Sequence, residues 1–195
     1  MPTAFERIKH RHSPTNRLLR QTMKSISHDS QPQSSTGEPV IARAKRFDHV
    51  GLTVPDLDVA VDFFVCCFAA RVLFKMDRPE VPCAMGAERL GVAPEAEFAL
   101  AMLELGSARI ELLQWWPLRG DISPPDNDQP GGSHVAIEVD DVAAALQALR
   151  VVEGVQVLGE PATFAPGATP GLTNAFVRTP WGALIELVAW HWPDI

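Results

Sequence analysis

One pattern is written twice in this chain, and any fold must place both copies. Gly132-Ser133-His134-Val135-Ala136-Ile137-Glu138-Val139-Asp140-Asp141 carries branched apolar residues at alternate positions, as a half-buried strand does, and ends in acids suited to starting a helix. Asp48-His49-Val50-Gly51-Leu52-Thr53-Val54-Pro55-Asp56 puts a histidine at the same point of a similar strand and closes on a similar helix start. A glutamate in a second matched strand follows each histidine. Glu111 lies 62 residues after His49, in Ala108-Arg109-Ile110-Glu111-Leu112-Leu113-Gln114-Trp115. Glu186 lies 52 residues after His134, in Ala183-Leu184-Ile185-Glu186-Leu187-Val188-Ala189-Trp190. Such a duplication implies two copies of one supersecondary unit.

The rest of the chain fills in those units. Phe47 to Val54 is predicted as a strand, and Asp56 or Asp58 as the cap of a helix from Leu57 to Phe68 with Val59, Phe63 and Cys66/Cys67 on its apolar face. Strands at Arg71–Met76, Phe98–Leu103 and Arg109–Trp115 follow, with an irregular stretch from Asp77 to Glu95 between the first two. The order then repeats: a strand at Ser133–Val139, a helix at Val142–Val151, a short strand at Val155–Leu158, a loop from Gly159 to Gly171, and strands at Asn174–Arg178 and Ala183–Trp190. The expected fold class is α+β: two tandem βαβββ modules forming a cupped, barrel-like mixed sheet with the helices outside. The expected organisation is a disordered basic head at 1–45, a first module at 46–116, a Pro/Asp/Gly-rich linker at 117–131 and a second module at 132–192.

Side chains on a strand alternate between faces. His49 therefore shares a face with Gly51 and Thr53, and His134 shares one with Ala136 and Glu138, while the branched residues between them face a helix. Glu111 falls with Arg109, Leu113 and Trp115, and Glu186 with Leu184, Val188 and Trp190. Four polar residues on inner faces, at equivalent points of a duplication, point to one shared site. Two imidazoles and two carboxylates make an N₂O₂ ligand set for one divalent metal ion (Mn, Fe, Co, Ni or Zn), with two octahedral places left for water or substrate. A lone strand histidine is more often structural than a ligand. Here two of the three histidines after residue 46 (His49, His134 and His191) occupy equivalent positions, which favours ligation; His191 reads as a surface residue.

Charge and composition exclude several functions. Through Arg46 there are nine Lys and Arg against three acids, net +6; from Phe47 on there are eight against twenty-one, net −13. An acidic body lacks the basic face that nucleic acid needs, and it disfavours polyanionic substrates such as an acyl-CoA. No apolar run reaches the roughly 18 residues of a membrane span. The basic head has no continuous apolar segment of a secretory signal and reads as a solvated tail rather than a targeting peptide. Three cysteines, two of them adjacent, are no disulfide framework and fit a reducing, cytoplasmic setting.

With these residues placed, the chain from about Phe47 to Trp192 resembles the vicinal oxygen chelate superfamily, which includes glyoxalase I, methylmalonyl-CoA epimerase, extradiol dioxygenases, fosfomycin-resistance enzymes and bleomycin-binding proteins. The pieces that carry the resemblance are Phe47-Asp48-His49-Val50-Gly51, Ile110-Glu111-Leu112-Leu113, the Gly132-to-Asp141 stretch, and Arg178-Thr179-Pro180-Trp181-Gly182 leading into Ile185-Glu186-Leu187. The resemblance implies paired modules around one divalent metal, often in a homodimer, with His49, Glu111, His134 and Glu186 as ligands. It also implies a small-molecule substrate whose oxygens chelate the metal. Ring-cleaving dioxygenases of the family leave the position of Glu111 without a ligand and usually add an acid–base His or Tyr; this chain has no tyrosine. Bleomycin-type binders generally lack the metal set. The reading that remains is an isomerase or epimerase working by proton transfer beside a chelated carbonyl, with a glyoxalase I-like lyase, an Fe(II) dioxygenase and a non-catalytic binding protein as alternatives. Glu111 and Glu186 are the expected bases, followed by Glu138 and Glu88. Arg109, Trp115, Arg178 and Trp190 are the expected substrate contacts, Trp181, Phe164 and Phe176 further candidates for the pocket wall, and the Gly159–Gly171 loop a lid. A small polar ketone, such as the cyclitol ketones of valiolone-type epimerases, suits the acidic body.

Overall fold

The computed structural model describes residues 43–78, 89–120, 123–164, 169 and 171–191. The chain divides into two compact units, Met1–Arg46 and Phe47–Ile195, and every element below belongs to the second.

The first half comprises β1 (Val50–Thr53), α1 (Leu57–Phe68), β2 (Arg71–Met76), β3 (Glu97–Leu105) and β4 (Ala108–Trp116). The second repeats it as β5 (His134–Glu138), α2 (Val142–Leu149), β6 (Gln156–Thr163), β7 (Leu172–Arg178) and β8 (Leu184–Trp190). Each half forms a four-stranded mixed sheet of the same topology, β1-β4-β3-β2 and β5-β8-β7-β6. The first strand of each pairs parallel with the last, and the other pairings are antiparallel. This is the glyoxalase-like α+β fold that the duplication predicts.

Both helices begin where an aspartate supplies the missing acceptor. The Asp56 carboxylate accepts the Val59 N–H and that of Asp141 accepts the Ala144 N–H, each at 3.0 Å. Of the two candidates, Asp56 rather than Asp58 is the cap of α1. The side chain of Gln114 on β4 adds a second acceptor, taking the Leu57 N–H at 2.9 Å and tying α1 to its sheet. Each helix then buries one stripe, Leu57, Ala60, Phe63 and Phe64 on α1 and Val142, Leu146 and Leu149 on α2. The strand residues facing them, among them Ile110, Leu112, Ile185 and Leu187, are buried as the alternation requires.

The halves share one core. Trp181, in the β7–β8 turn, lies edge-on to Phe63 of α1 at 5.4 Å and beside Phe64 at 6.3 Å. Residues of the edge strands β1 and β5 line common hollows at the junction. Thr53 and Val54 share a pocket with Ser133 and His134, while Val50 shares a groove with Val135 to Val139.

Several boundaries differ from expectation: β1 is shorter, starting at Val50 so that His49 precedes it, and β7 starts two residues earlier, at Leu172. Strand β6 runs through Gly159 to Thr163, where a loop was expected, because a register shift between Leu158 and Ala162 absorbs the glycine (φ 84°) and Pro161 within the strand. Helix α2 stops at Leu149, with the chain turning at Val152 to Gly154.

Candidate active site

The sequence places one histidine and one glutamate in each half, and the sheet register brings each pair together. Gly51 is the neighbour of Glu111 across the parallel β1–β4 pair, which sets His49 diagonally to that carboxylate; His49 Nε2 lies 3.7 Å from Glu111 Oε2. Ala136 likewise neighbours Glu186, and His134 Nε2 lies 3.3 Å from Glu186 Oε2. Small residues opposite the glutamates keep this face open. A side chain on Gly51 would reach to 3.5 Å from the Glu111 carboxylate.

In each pair the outer ring nitrogen of the histidine is engaged. His49 Nδ1 is 3.0 Å from Asp48 Oδ2, and the other Asp48 oxygen is 3.6 Å from Arg109 Nη1. His134 Nδ1 is 3.5 Å from Asn127 Oδ1, and the ring stands edge-on to Phe176. A carboxylate or amide oxygen beside Nδ1 suits a proton on that nitrogen, which would leave Nε2 as the metal-binding nitrogen. A divalent ion with bonds of about 2.1 Å holds neighbouring ligand atoms about 3.0 to 3.4 Å apart. The His134–Glu186 pair, at 3.3 Å, falls within that range and fits as one edge of a coordination shell, while the His49–Glu111 pair, at 3.7 Å, stands slightly wider. Among the described residues, no three or more His, Cys, Asp or Glu side chains are gathered into a single cluster able to hold a metal. The four residues stand as two matched half-sites.

A pocket of about 300 Å³ lies at the junction of the halves. Gly51, Thr53, His134, Trp181 and Leu184 are among its lining residues, with Ser123 to Pro125 of the linker. It reaches His134 of the four but not the other three. Trp115 lines a separate cleft of about 350 Å³ with Thr53 and Pro117 and packs at a tilt against Phe98. Trp190 is partly exposed at the end of β8. Arg178 donates to Asp126 at 2.8 Å and to the Gly182 carbonyl at 3.2 Å, clamping the linker to the β7–β8 turn. Trp181 belongs to the shared core as well as to the pocket wall. Glu138 lines the groove on the other side of the junction. Glu88 and part of the Gly159–Gly171 loop lie outside the described residues. Asn174 was not anticipated: its Nδ2 donates to Glu186 Oε1 at 2.6 Å. A duplication searched for shared residues does not reveal a residue present in one copy alone.

A duplicated mixed sheet with a His–Glu pair at the matching position of each half defines a paired-module α+β architecture. The chain belongs to the Glyoxalase/Bleomycin resistance protein/Dioxygenase superfamily, whose model matches residues 48–173. Among characterised relatives it is similar to the 2-epi-5-epi-valiolone epimerase of Actinomyces sp., at 38% identity over 72% of this chain and 76% of that protein. It is also 32% identical to the mitochondrial methylmalonyl-CoA epimerase of Mus musculus, over 62% of this chain and 61% of the mouse protein. A putative lactoylglutathione lyase of Brassica oleracea var. gemmifera is 30% identical over 74% of this chain, a match spanning only 44% of the plant protein. Among solved structures, a glyoxalase family protein of Bacillus cereus shares the fold, with a TM-score of 0.64 at 22% identity, over 77% of this chain and 97% of that one. No helix among the described residues is long and apolar enough to cross a membrane.

Proposed function

We propose that this protein is a divalent-metal-dependent epimerase acting by proton transfer at the carbon beside the carbonyl of a small, polar, hydroxylated ketone. The observation that carries the reading is the recurrence of one His–Glu pair at matching register in both halves, at 3.7 and 3.3 Å. His49, Glu111, His134 and Glu186 would hold the ion. Bound there, a divalent cation polarises a chelated carbonyl and acidifies the adjacent C–H.

The chain's own groups do the rest. Glu111 or Glu186 takes the proton as the C–H bond breaks and its electron pair moves into the carbonyl. A second acid on the opposite face then gives its proton to the carbon as the electron pair reverts there, which inverts the centre. The Arg109–Asp48 contact holds the acceptor that orients His49, and Arg178 holds the linker beside His134, so both arginines act on ligand placement. Similarity to a valiolone epimerase and the acidic body favour a cyclitol ketone over a CoA thioester. We further expect a homodimer in the cytoplasm; sedimentation tests the first.

The reading is tested by loading the protein with Mn²⁺, Co²⁺, Ni²⁺ or Zn²⁺ and incubating it with 2-epi-5-epi-valiolone in D₂O. Metal binding with deuterium entering at the carbon beside the carbonyl is the expected result. Metal binding without exchange on this or related keto substrates, but with turnover of a methylglyoxal–thiol adduct, would move the assignment to the lyase reading that the plant relative supports.

A further inference from the structure

The duplication is broken at the carboxylates. On the third strand of each half, the residue opposite the glutamate is Met102 for Glu111 and Phe176 for Glu186. Two positions earlier come Leu100, paired with Leu113, and Asn174, paired with Val188. The register makes Leu100 and Asn174 equivalents, and the alternation puts each on its glutamate's face.

Their chemistry is opposite. The Asn174 amide reaches diagonally and donates to Glu186 Oε1 at 2.6 Å, which leaves Oε2 turned to His134. Leu100 has no donor to give. Among the described residues, Glu111 meets no polar partner but His49, at the longer distance of 3.7 Å, and the bare backbone of Gly51 leaves room beside its carboxylate. Glu186 is also the more enclosed of the two, with 14% of its side chain exposed against 23% for Glu111. Glu186 is tied by two partners and Glu111 by one, at a longer distance.

We infer that Asn174 is a positioning residue that fixes Glu186 as the standing ligand, and that removal of the substrate proton therefore falls to Glu111. This rests on the metal-site reading proposed above. A hydrogen-bonded partner behind a ligating carboxylate sets its orientation, and losing such a partner typically costs about 10- to 100-fold in metal affinity. A carboxylate that must leave the ion to collect a substrate proton is better served by Glu111, which lacks the Asn174 bond that Glu186 accepts.

The experiment measures Mn²⁺ dissociation constants, by the electron paramagnetic resonance signal of free Mn²⁺, for the wild type, N174A and N174L, the last giving Glu186 the neighbour that Glu111 has. Both variants are expected to keep the wild-type circular dichroism and melting profile and to bind Mn²⁺ about 10- to 100-fold more weakly. In parallel, E186Q is expected to lose more affinity than E111Q, while E111Q keeps the metal and loses deuterium exchange into substrate. Folded N174A and N174L binding Mn²⁺ within twofold of wild type would overturn the role of Asn174, and an E111Q protein that still exchanges would overturn that of Glu111. Where neither Asn174 variant folds, the E186Q and E111Q comparison decides alone. A wild-type protein that binds no divalent metal defeats the underlying site reading instead, a different result from any of these.

Discussion

Gly132 shows how closely the backbone is fitted beside the candidate site. A Cβ there would sit 2.1 Å from the Asp126 carbonyl oxygen and 2.9 Å from Asn127 Cα, both main-chain atoms that cannot rotate away. Asp126 anchors Arg178 and Asn127 faces His134, so the displaced segment is the one that holds the second half-site. G132A is expected to cost about 1–3 kcal/mol, as other overpacked sites do, and to weaken metal binding together with stability. Gly51 is the contrast. Its φ is not left-handed, and an added Cβ would meet nothing closer than 3.5 Å. G51A is expected to keep or raise stability by up to about 1 kcal/mol, since glycine within a strand carries an entropic cost. Urea unfolding of the two variants checks both. Cysteine chemistry separates equally at this scale. Burial, with a contribution from the Cys66 thiol, pushes the Cys67 thiol above its ordinary pKa, whereas Cys66 is exposed. Only the thiolate reacts, so peptide mapping after brief iodoacetamide treatment near pH 8 should find Cys66 alkylated well before Cys67.

Helices and strands were legible where local chemistry decides them. Leu57–Phe68 is bounded as predicted because Asp56 caps one end and the chain turns at Ala69, in the left-handed region (φ 53°), at the other. Each aspartate cap satisfies an N–H that would otherwise be orphaned, so D56A and D141A should each lower stability by about 1 kcal/mol, read as a lower urea midpoint with an unchanged slope. Q114A removes the remaining tether at the start of α1 and should add to D56A less than independently, because the two acceptors serve one helix end. Strand β6 was not legible beyond Leu158. Gly159 and Pro161 read locally as loop residues, and only pairing with β7 from across the sheet keeps them in a strand. Asn174 was hidden for a related reason. Its bond to Glu186 spans two strands, and no local pattern gives the register that aligns them. The His–Glu pairs were visible because duplication supplies that long-range information twice.

At the scale of the whole molecule, the two halves are joined through one buried core, and Trp181 is one of the side chains that joins them. Trp181 belongs by sequence to the second half, yet it packs edge-on against Phe63 and beside Phe64 of α1 in the first. It is nearly buried, at 7% exposure, and borders the junction pocket along with Gly51 and His134. Its turn is held by short-range bonds, the Thr179 hydroxyl accepting the Ala183 N–H at 2.9 Å and Arg178 reaching the Gly182 carbonyl. The ring is therefore presented by a stiff support and anchored in the opposite half. Replacing it with alanine removes those aromatic contacts and opens a cavity in the shared core, an expected loss of about 3–5 kcal/mol. W181F, which keeps an aromatic ring there, should lose distinctly less. The informative readout is how the loss appears. If the halves unfold as one body, W181A lowers a single cooperative transition, seen alike by circular dichroism and by the fluorescence of the remaining tryptophans. If Trp181 mainly holds two separately stable halves in register, the transition splits in two, and substrate-dependent exchange falls further than the midpoint does. The single buried cluster that spans both halves favours the first outcome, and divergence of the two probes in W181A would refute it.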